Sequence, residues 1–164
     1  MIRSIPLPLP DASNKYYREH LSIVLENLKR WTSYDLIKEY GFSEDLGQQV
    51  FDADFYILSH NNAADPILNY GNDRVLKLWE TSWEELTTMY SRDTAKPVDR
   101  SARLAIMDRV KSQNYISGYS GTRISKTGKQ FEILDVTIWN LFTNNGDPYG
   151  QAAWFKNIDR SITS

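Results

Sequence analysis

The stretch FEILDVTIWNLF, residues 131–142, carries the clearest fold signal of the chain, because it predicts a long β-strand that is largely apolar on both faces. Side chains of a strand alternate between the two faces of a sheet. By that alternation the even face carries Leu134, Val136, Ile138, Asn140 and Phe142, and the odd face carries Phe131, Ile133, Asp135, Thr137, Trp139 and Leu141. A sheet with one face in water would show one polar side, so both faces of this sheet are predicted to be covered.

An amphipathic helix is predicted over residues 14–32, with Ser13 or Asn14 as its N-cap. Its apolar stripe repeats at spacings of four and three and consists of Tyr17, Leu21, Val24, Leu28 and Trp31. We expect this stripe to pack on the even face of the long strand. It lasts only two heptads, so packing on its own domain is favoured over a homodimer seam, which is the alternative.

The rest of the pattern predicts an α+β fold built on a five-stranded antiparallel sheet, with short helices on one face and the N-terminal helix on the other. The other strands are predicted over residues 55–58, 67–70, 118–125 and 149–158. Asn72 or Asp73 caps one short helix, and Ser82 with Glu85 forms a capping box at the next. A longer helix over 99–113 has Ala102, Ile106 and Val110 at spacing four. The domain boundaries are predicted as an extended Pro-rich lead-in (1–12), a helical extension (13–53) and the sheet domain (54–160).

This order of elements resembles the PAS fold, and the residues resemble the MEKHLA domain, a PAS-related family whose members stand alone in bacteria. The segments that carry the resemblance include Asp65-Pro66, Tyr70-Gly71-Asn72, Ser82-Trp83-Glu84-Glu85, Tyr119-Ser120-Gly121, Trp139-Asn140 and Gly150-Gln151-Ala152-Ala153. The likeness spans residues 55–155. It implies a sensory or regulatory module without catalysis that binds a small molecule or a partner protein between the sheet and the short helices.

A ligand-binding niche is predicted on the odd face, where polar groups lie among aromatic ones, as is typical of small-molecule pockets. The predicted ligand-binding residues are Tyr70, Trp79, Trp83, Arg123, Asp135, Thr137, Trp139 and Gln151. The large aromatic residues are equally explained as core. Arg123 is expected opposite Asp135 across a hairpin. If that pair is buried, loss of either partner costs roughly 3–5 kcal/mol.

The composition excludes several kinds of cofactor and partner. The 164 residues include no cysteine and carry a net charge of -2, which excludes a LOV-type flavin adduct and disfavours nucleic acid. The histidines are His20 and His60, and neither lies on the longer helix that carries the axial ligand of haem-binding PAS sensors. His60 is expected in a loop, hydrogen-bonded to the backbone. No metal site is predicted, and the cofactor is unassigned. No apolar run of about 18 residues predicts a membrane span, so a cytoplasmic protein is expected.

Two other functions fit the same pattern. A small enzyme with a cone-shaped pocket would use Asp135 as general base, with Tyr119 and Tyr149 nearby. A pure interaction domain would fill its cavity with its own aromatic side chains and dimerise through its N-terminal helix. Neither hypothesis identifies a regulatory protein partner, and the order of the strands and the size of the cavity distinguish the three.

Overall fold

The computed structural model describes residues 5–161 and shows an antiparallel sheet covered on both faces by helices. Its α-helices are α1 (Arg18–Thr32), α2 (Leu36–Tyr40), α3 (Leu46–Phe51), α4 (Asp73–Leu78), α5 (Trp83–Leu86) and α6 (Arg100–Gln113). Its strands are β1 (Tyr56–His60), β2 (Leu68–Gly71), β3 (Tyr115–Ile124), β4 (Gln130–Phe142), β5 (Pro148–Phe155) and β6 (Asn157–Asp159). Residues 1–4 of the predicted lead-in lie outside the described residues.

The strands follow the order β2-β1-β5-β4-β3, and the short β6 pairs with the first half of β4. The opening strand β1 is therefore an inner strand, with β2 on one side and β5 on the other. The predicted final strand over 149–158 is divided at Lys156 into β5 and β6. The predicted α+β architecture is confirmed, with β6 as an addition to the five expected strands.

The helices α4 and α5 begin at the capping residues that the sequence predicted. Asn72 Oδ1 accepts a hydrogen bond from the Val75 backbone N–H at 3.3 Å and caps α4. Ser82 Oγ accepts from the Glu85 N–H at 3.1 Å, and Glu85 Oε1 accepts from the Ser82 N–H at 3.2 Å. These reciprocal bonds are the capping box that the sequence predicted for α5.

The start of the N-terminal helix differs from the prediction. Residues Ala12–Tyr17 form 3-10 turns that are capped by Asp11 and kinked at Asn14, Lys15 and Tyr16, and α1 begins only at Arg18. Three residues before it, Lys15–Tyr17, have positive φ values between 50° and 62°. Gly47 of α3 lies so close to this segment that a Cβ there would come within 2.2 Å of the Lys15 carbonyl oxygen. The helix therefore breaks before Arg18 at the point where α3 packs against it, and the apolar spacing of the sequence does not reveal this break.

Each face of the sheet has its own hydrophobic core. On the back face, α1, α2 and α3 cover the sheet, and the core joins Leu21, Val24, Leu28, Trp139 and Leu141. On the front face, α4 and α6 cover it, and the core joins Val75, Leu78, Trp79, Val110, Val136, Ile138 and Phe155. Both faces are covered, as the apolar strand required.

The predicted assignment of the two faces is wrong, because β4 does not alternate through Asp135. Asp135 has a left-handed backbone with φ 51°, and the register between β3 and β4 shifts on either side of Tyr119. Phe131 and Ile133 face the front before this residue, and the even positions Val136 and Ile138 face the front after it. A single left-handed residue interrupts the two-residue repeat, so the alternation cannot be extended across it.

Hydrogen bonds fasten α1 to the back face. Trp139 Nε1 donates to the Val24 carbonyl and Trp31 Nε1 donates to the Asn140 carbonyl, both at 2.9 Å. Asn27 Nδ2 donates to the Phe142 carbonyl, also at 2.9 Å. The stripe predicted as packing on its own domain does so, and a homodimer seam on that face would require α1 to detach. No helix within residues 5–161 combines the length and the apolar character needed to cross a bilayer.

Candidate functional site

A cavity of about 50 Å³ lies on the front face, between the sheet on one side and Trp79, the segment Ser91–Thr94 and α6 on the other. Its apolar walls include Leu58, Leu68, Trp79, Met107, Ile133, Ile138, Ala153 and Phe155. Its polar walls include His60, Ser91, Thr94, Arg103, Arg123 and Gln151. A few polar groups set among apolar ones are the composition of a small-molecule site.

Arg103 enters the cavity from α6, where its side chain is only 8% exposed. Its Nη2 donates a hydrogen bond to Ser91 Oγ, in the short 3-10 helix Ser91–Thr94. Burial, and then the positive charge of Arg123, lower the pKa of Arg103 to about 10, so the guanidinium stays charged at neutral pH. Among residues 5–161 no carboxylate forms an ion pair with it.

Arg123 enters from β3 and is 7% exposed. Its register partner on β4 is Phe131, whereas Asp135 is exposed to solvent. The predicted Arg123–Asp135 pair is therefore wrong, because the tight turn between β3 and β4 sets a register in which Arg123 lies opposite Phe131, four residues before Asp135. In the described part of the chain the Nη1 of Arg123 donates to the Thr122 carbonyl at 2.9 Å, and no ion pair involves it.

His60 and Gln151 are register partners on β1 and β5 and present two unpaired acceptors. His60 Nδ1 lies 2.8 Å from the Asn61 carbonyl, which can only accept, so Nδ1 carries the proton and Nε2 carries a lone pair. Gln151 Nε2 donates to Asn140 Oδ1 at 3.1 Å and to the Met107 carbonyl at 3.3 Å. The remaining atoms, His60 Nε2 and Gln151 Oε1, are buried without a hydrogen-bond partner.

The protonation state of His60 follows from its surroundings. Burial is the main cause that lowers the pKa of His60 to about 4, and the charge of Arg103 acts in the same direction, while the Asn61 carbonyl and the neighbouring side chain of Gln151 act to raise it. The imidazole is therefore neutral at physiological pH and cannot donate from Nε2. The expected backbone hydrogen bond of His60 is confirmed, although the residue ends β1 and does not lie in a loop.

The structure brings three of the predicted site residues together at this cavity, namely Trp79, Arg123 and Gln151. Tyr70, Trp83 and Trp139 are buried in the back-face core, so they are on the wrong side of the sheet for this site. Thr137 pairs with Trp154 of that same core region, and Asp135 is exposed. The niche predicted from Asp135, Thr137 and Trp139 is therefore wrong, since the break at Asp135 turns the following odd positions to the back face.

The residues of the enzyme alternative do not converge either. Tyr149 contacts His20 under α1, Tyr119 packs in the front core, and Asp135 is in solvent. The described residues contain no group of three or more histidine, aspartate or glutamate side chains placed to hold a metal ion. These positions leave Asp135 without the partners that general base catalysis was predicted to use.

A Ser–His contact on the back face has the distance of a catalytic serine–histidine pair, but its hydrogen bond runs in the opposite direction. Ser59 Oγ lies 2.9 Å from His20 Nε2, and its own hydrogen is donated to Asn69 Oδ1 at 2.6 Å. His20 Nε2 must then donate to Ser59, while Nδ1 accepts from the Tyr149 hydroxyl at 2.7 Å. The imidazole cannot take the Ser59 proton in this arrangement, so the contact fastens α1 to the sheet.

Two cavity residues, Arg103 and His60, were missed as ligand-binding candidates. The buried face of α6 runs through Arg103, Met107 and Val110, whereas the predicted stripe began one residue earlier at the exposed Ala102. An arginine that precedes apolar residues by three, four and seven positions was a usable signal. His60 had no such signal, since it meets Gln151 only through the pairing of β1 with β5.

Comparisons with known proteins agree with this architecture. The model of the MEKHLA domain family matches residues 18–160. A search of curated proteins finds no match.

Solved structures with the PAS fold superpose on most of the chain. A PAS domain from Colwellia psychrerythraea superposes with a TM-score of 0.57 and 17% identity, covering 79% of this chain and 98% of that domain. A light-oxygen-voltage domain studied with a flavin analogue gives a TM-score of 0.56 and 13% identity, with 70% and 84% covered. A PAS domain from a two-component sensor histidine kinase gives 0.53 and 17%, with 72% and 94% covered. These likenesses show that the chain has the PAS fold.

Proposed function

We propose that this chain, which belongs to the MEKHLA domain family and has the PAS fold, is a sensory module that binds a small molecule in the front cavity. The observation that carries the proposal is the pair of unpartnered, buried acceptors on His60 and Gln151. A buried polar atom without a partner costs about 1–3 kcal/mol. A bound molecule that donates hydrogen bonds to both atoms would remove that cost.

The size of the cavity limits the ligand. About 50 Å³ is well below the roughly 300–1,000 Å³ of pockets that hold drug-sized molecules. It offers room for about three to five water-sized groups. An isoalloxazine ring exceeds this space, so a flavin does not fit the residues present. The existence of a cavity with charged walls also favours ligand binding over a core filled by its own aromatic side chains.

A contact path leads from the cavity to the opposite face of the sheet. Gln151 donates to the side chain of Asn140, whose Nδ2 donates to the Val110 carbonyl of α6 at 2.9 Å. The backbone carbonyl of Asn140 accepts from Trp31 of α1. We propose that occupancy of the cavity shifts this junction and thereby alters how α1 is held, which a regulatory partner would sense.

A thermal-shift screen with native mass spectrometry tests the proposal. Freshly purified protein is compared with Ala153→Phe and Leu58→Phe, which fill the cavity, and with Ala102→Phe, which adds the same ring on the exposed side of α6. We expect at least one small polar metabolite to raise the Tm of the wild type and of Ala102→Phe, but not of the folded cavity-filling variants. If no compound stabilises the wild type, or if the filled variants respond equally, the proposal is wrong.

A further inference from the structure

We infer that the front cavity is built for a small hydroxycarboxylate, a short-chain molecule with one carboxylate and at least one hydroxyl group. This inference rests on the proposed function and adds the chemical class of its ligand. Two features carry it separately: the charge on one side of the cavity wall and the hydrogen-bonding polarity on the other.

The charge requirement comes from the two arginines. Arg103 and Arg123 are both more than nine-tenths buried, line the same cavity, and have no carboxylate partner among residues 5–161. Asp65 attracts the charge of Arg103 from beyond ion-pair distance, and the Tyr119 ring lies 5.8 Å from the Arg123 guanidinium carbon. A buried charge without an ion-pair partner is costly, and guanidinium groups match the geometry of a carboxylate. Two such groups facing one cavity therefore favour an anion as ligand.

The hydroxyl requirement comes from the two acceptors. His60 Nε2 carries a lone pair because Nδ1 donates to the Asn61 carbonyl, and the amide of Gln151 is oriented by its donation to Asn140. Asn140 is oriented in turn, since its Nδ2 donates to the Val110 carbonyl. A carboxylate alone has only acceptors and would face these atoms unfavourably. The ligand must bring an O–H donor to this side.

The remaining walls favour an organic ligand over inorganic phosphate. Leu58, Leu68, Ile133, Ile138 and Phe155 border the same space, and a short hydrocarbon segment would contact them. The volume of about 50 Å³ restricts that segment to a few carbon atoms.

Isothermal titration calorimetry with matched probes tests the class. Glycolate and lactate are the hydroxy acids, acetate and propionate lack the hydroxyl, lactamide lacks the charge, and inorganic phosphate lacks the hydrocarbon. We expect at least one hydroxy acid to bind, and its deoxy partner and lactamide to bind about tenfold more weakly or not at all. Tighter binding of phosphate, or equal binding of the deoxy acids, would overturn the inference.

Variants locate the binding. Arg103→Met and Arg123→Met should each weaken binding of the hydroxy acid by about a hundredfold. Arg109→Met is the matched control, because it removes an exposed arginine from the same helix, and it should bind as the wild type does. Unchanged affinity in both folded cavity variants would place the binding elsewhere and overturn the inference.

The outcomes separate this inference from the proposed function. If the thermal-shift screen finds ligands that depend on an open cavity but no hydroxy acid binds, the hydroxycarboxylate class is wrong and the sensory proposal stands. If the screen and the titrations both fail, both are wrong.

Discussion

The back and front faces of the sheet are covered by helices of the same chain, yet they use their buried polar groups in different ways. Under α1, Asn27, Trp31 and Trp139 each donate to a backbone carbonyl across the interface between α1 and the sheet. On the front face, Arg103 and Arg123 bring buried positive charge to a cavity that also holds unpaired acceptors. The back-face hydrogen bonds hold α1 on the sheet, whereas the front-face groups remain available to bind a ligand.

The contrast concerns charge and enclosed space rather than the presence of unpaired atoms alone. The back-face residues Tyr70 and Trp154 also have a buried polar atom without a partner. Both are neutral side chains, and neither lines the front cavity. Burial raises the pKa of the Tyr70 hydroxyl, which keeps it neutral. Among residues 5–161, the front face alone combines unpaired acceptors, buried charge and a cavity beside them.

Trp139→Ala should have the largest effect, because it removes a fully buried side chain and its bond to α1. We expect the free energy of unfolding to fall by about 3–5 kcal/mol, measured by urea denaturation. Val98→Ala, a truncation at an exposed position, should leave it unchanged. A loss below about 1 kcal/mol for Trp139→Ala would show that the back face does not depend on this contact.

Acidification should weaken both faces through one histidine each. Burial lowers the pKa of His20 and of His60 to about 4, below the 6.5 of an unfolded histidine. Between these values the unfolded chain binds a proton that the folded chain does not, so the free energy of unfolding falls as the pH drops from about 6.5 to about 4 and then levels off. The loss is about 3 kcal/mol for each histidine.

The variants His20→Gln and His60→Gln separate the two contributions. Each variant should lose the part of the pH dependence that its own histidine contributes, so its free energy of unfolding should fall less than that of the wild type between about pH 6.5 and pH 4. Denaturation curves at pH 7, 5.5 and 4 measure the difference. A variant with the wild-type slope would show that its histidine is already protonated or exposed in the folded protein.

Polar-to-apolar changes on the two faces should have opposite signs. Arg103→Met removes a buried charge that has no ion-pair partner among residues 5–161, and we expect it to raise the stability of the ligand-free protein by about 1–3 kcal/mol. Asn27→Leu leaves the Phe142 carbonyl unpaired and should lower stability by a similar amount. Calorimetric Tm values check both, and a shift of the same sign in the two variants would contradict the comparison.

Gly121→Ala should have the smallest effect and sharpens the description of the front face. A Cβ at Gly121 would lie 2.9 Å from Arg123 Nη1 and 2.2 Å from the Tyr119 hydroxyl oxygen. Both are ends of side chains that can move, so the protein should fold and Arg123 should be displaced. We expect a few-fold weaker binding of the hydroxy acid, less than in Arg123→Met, and titration calorimetry measures it. Binding as tight as in the wild type would show that the position of Arg123 is not critical.

Sequence reasoning reached the architecture because its signals are local. The apolar strand, the Asn72 cap and the Ser82 box each depend on residues within a few positions of one another. The faces of β4 could not be predicted, because an Asp in an apolar strand is compatible with left-handed backbone but does not require it. The acceptors of the cavity could not be paired either, since His60 and Gln151 are far apart in the sequence and meet only through the sheet.

The left-handed residue of β4 also bears on how such a chain can change over generations. Asp135 is one extra residue in the strand, so deleting it would restore the two-residue repeat and leave Val136 and Ile138 on the front face and Trp139 and Leu141 on the back. Inserting a second residue there would instead exchange the two sets, and each would meet a core shaped for the other. The lineage can therefore lose a residue at this point of the strand more safely than it can gain one.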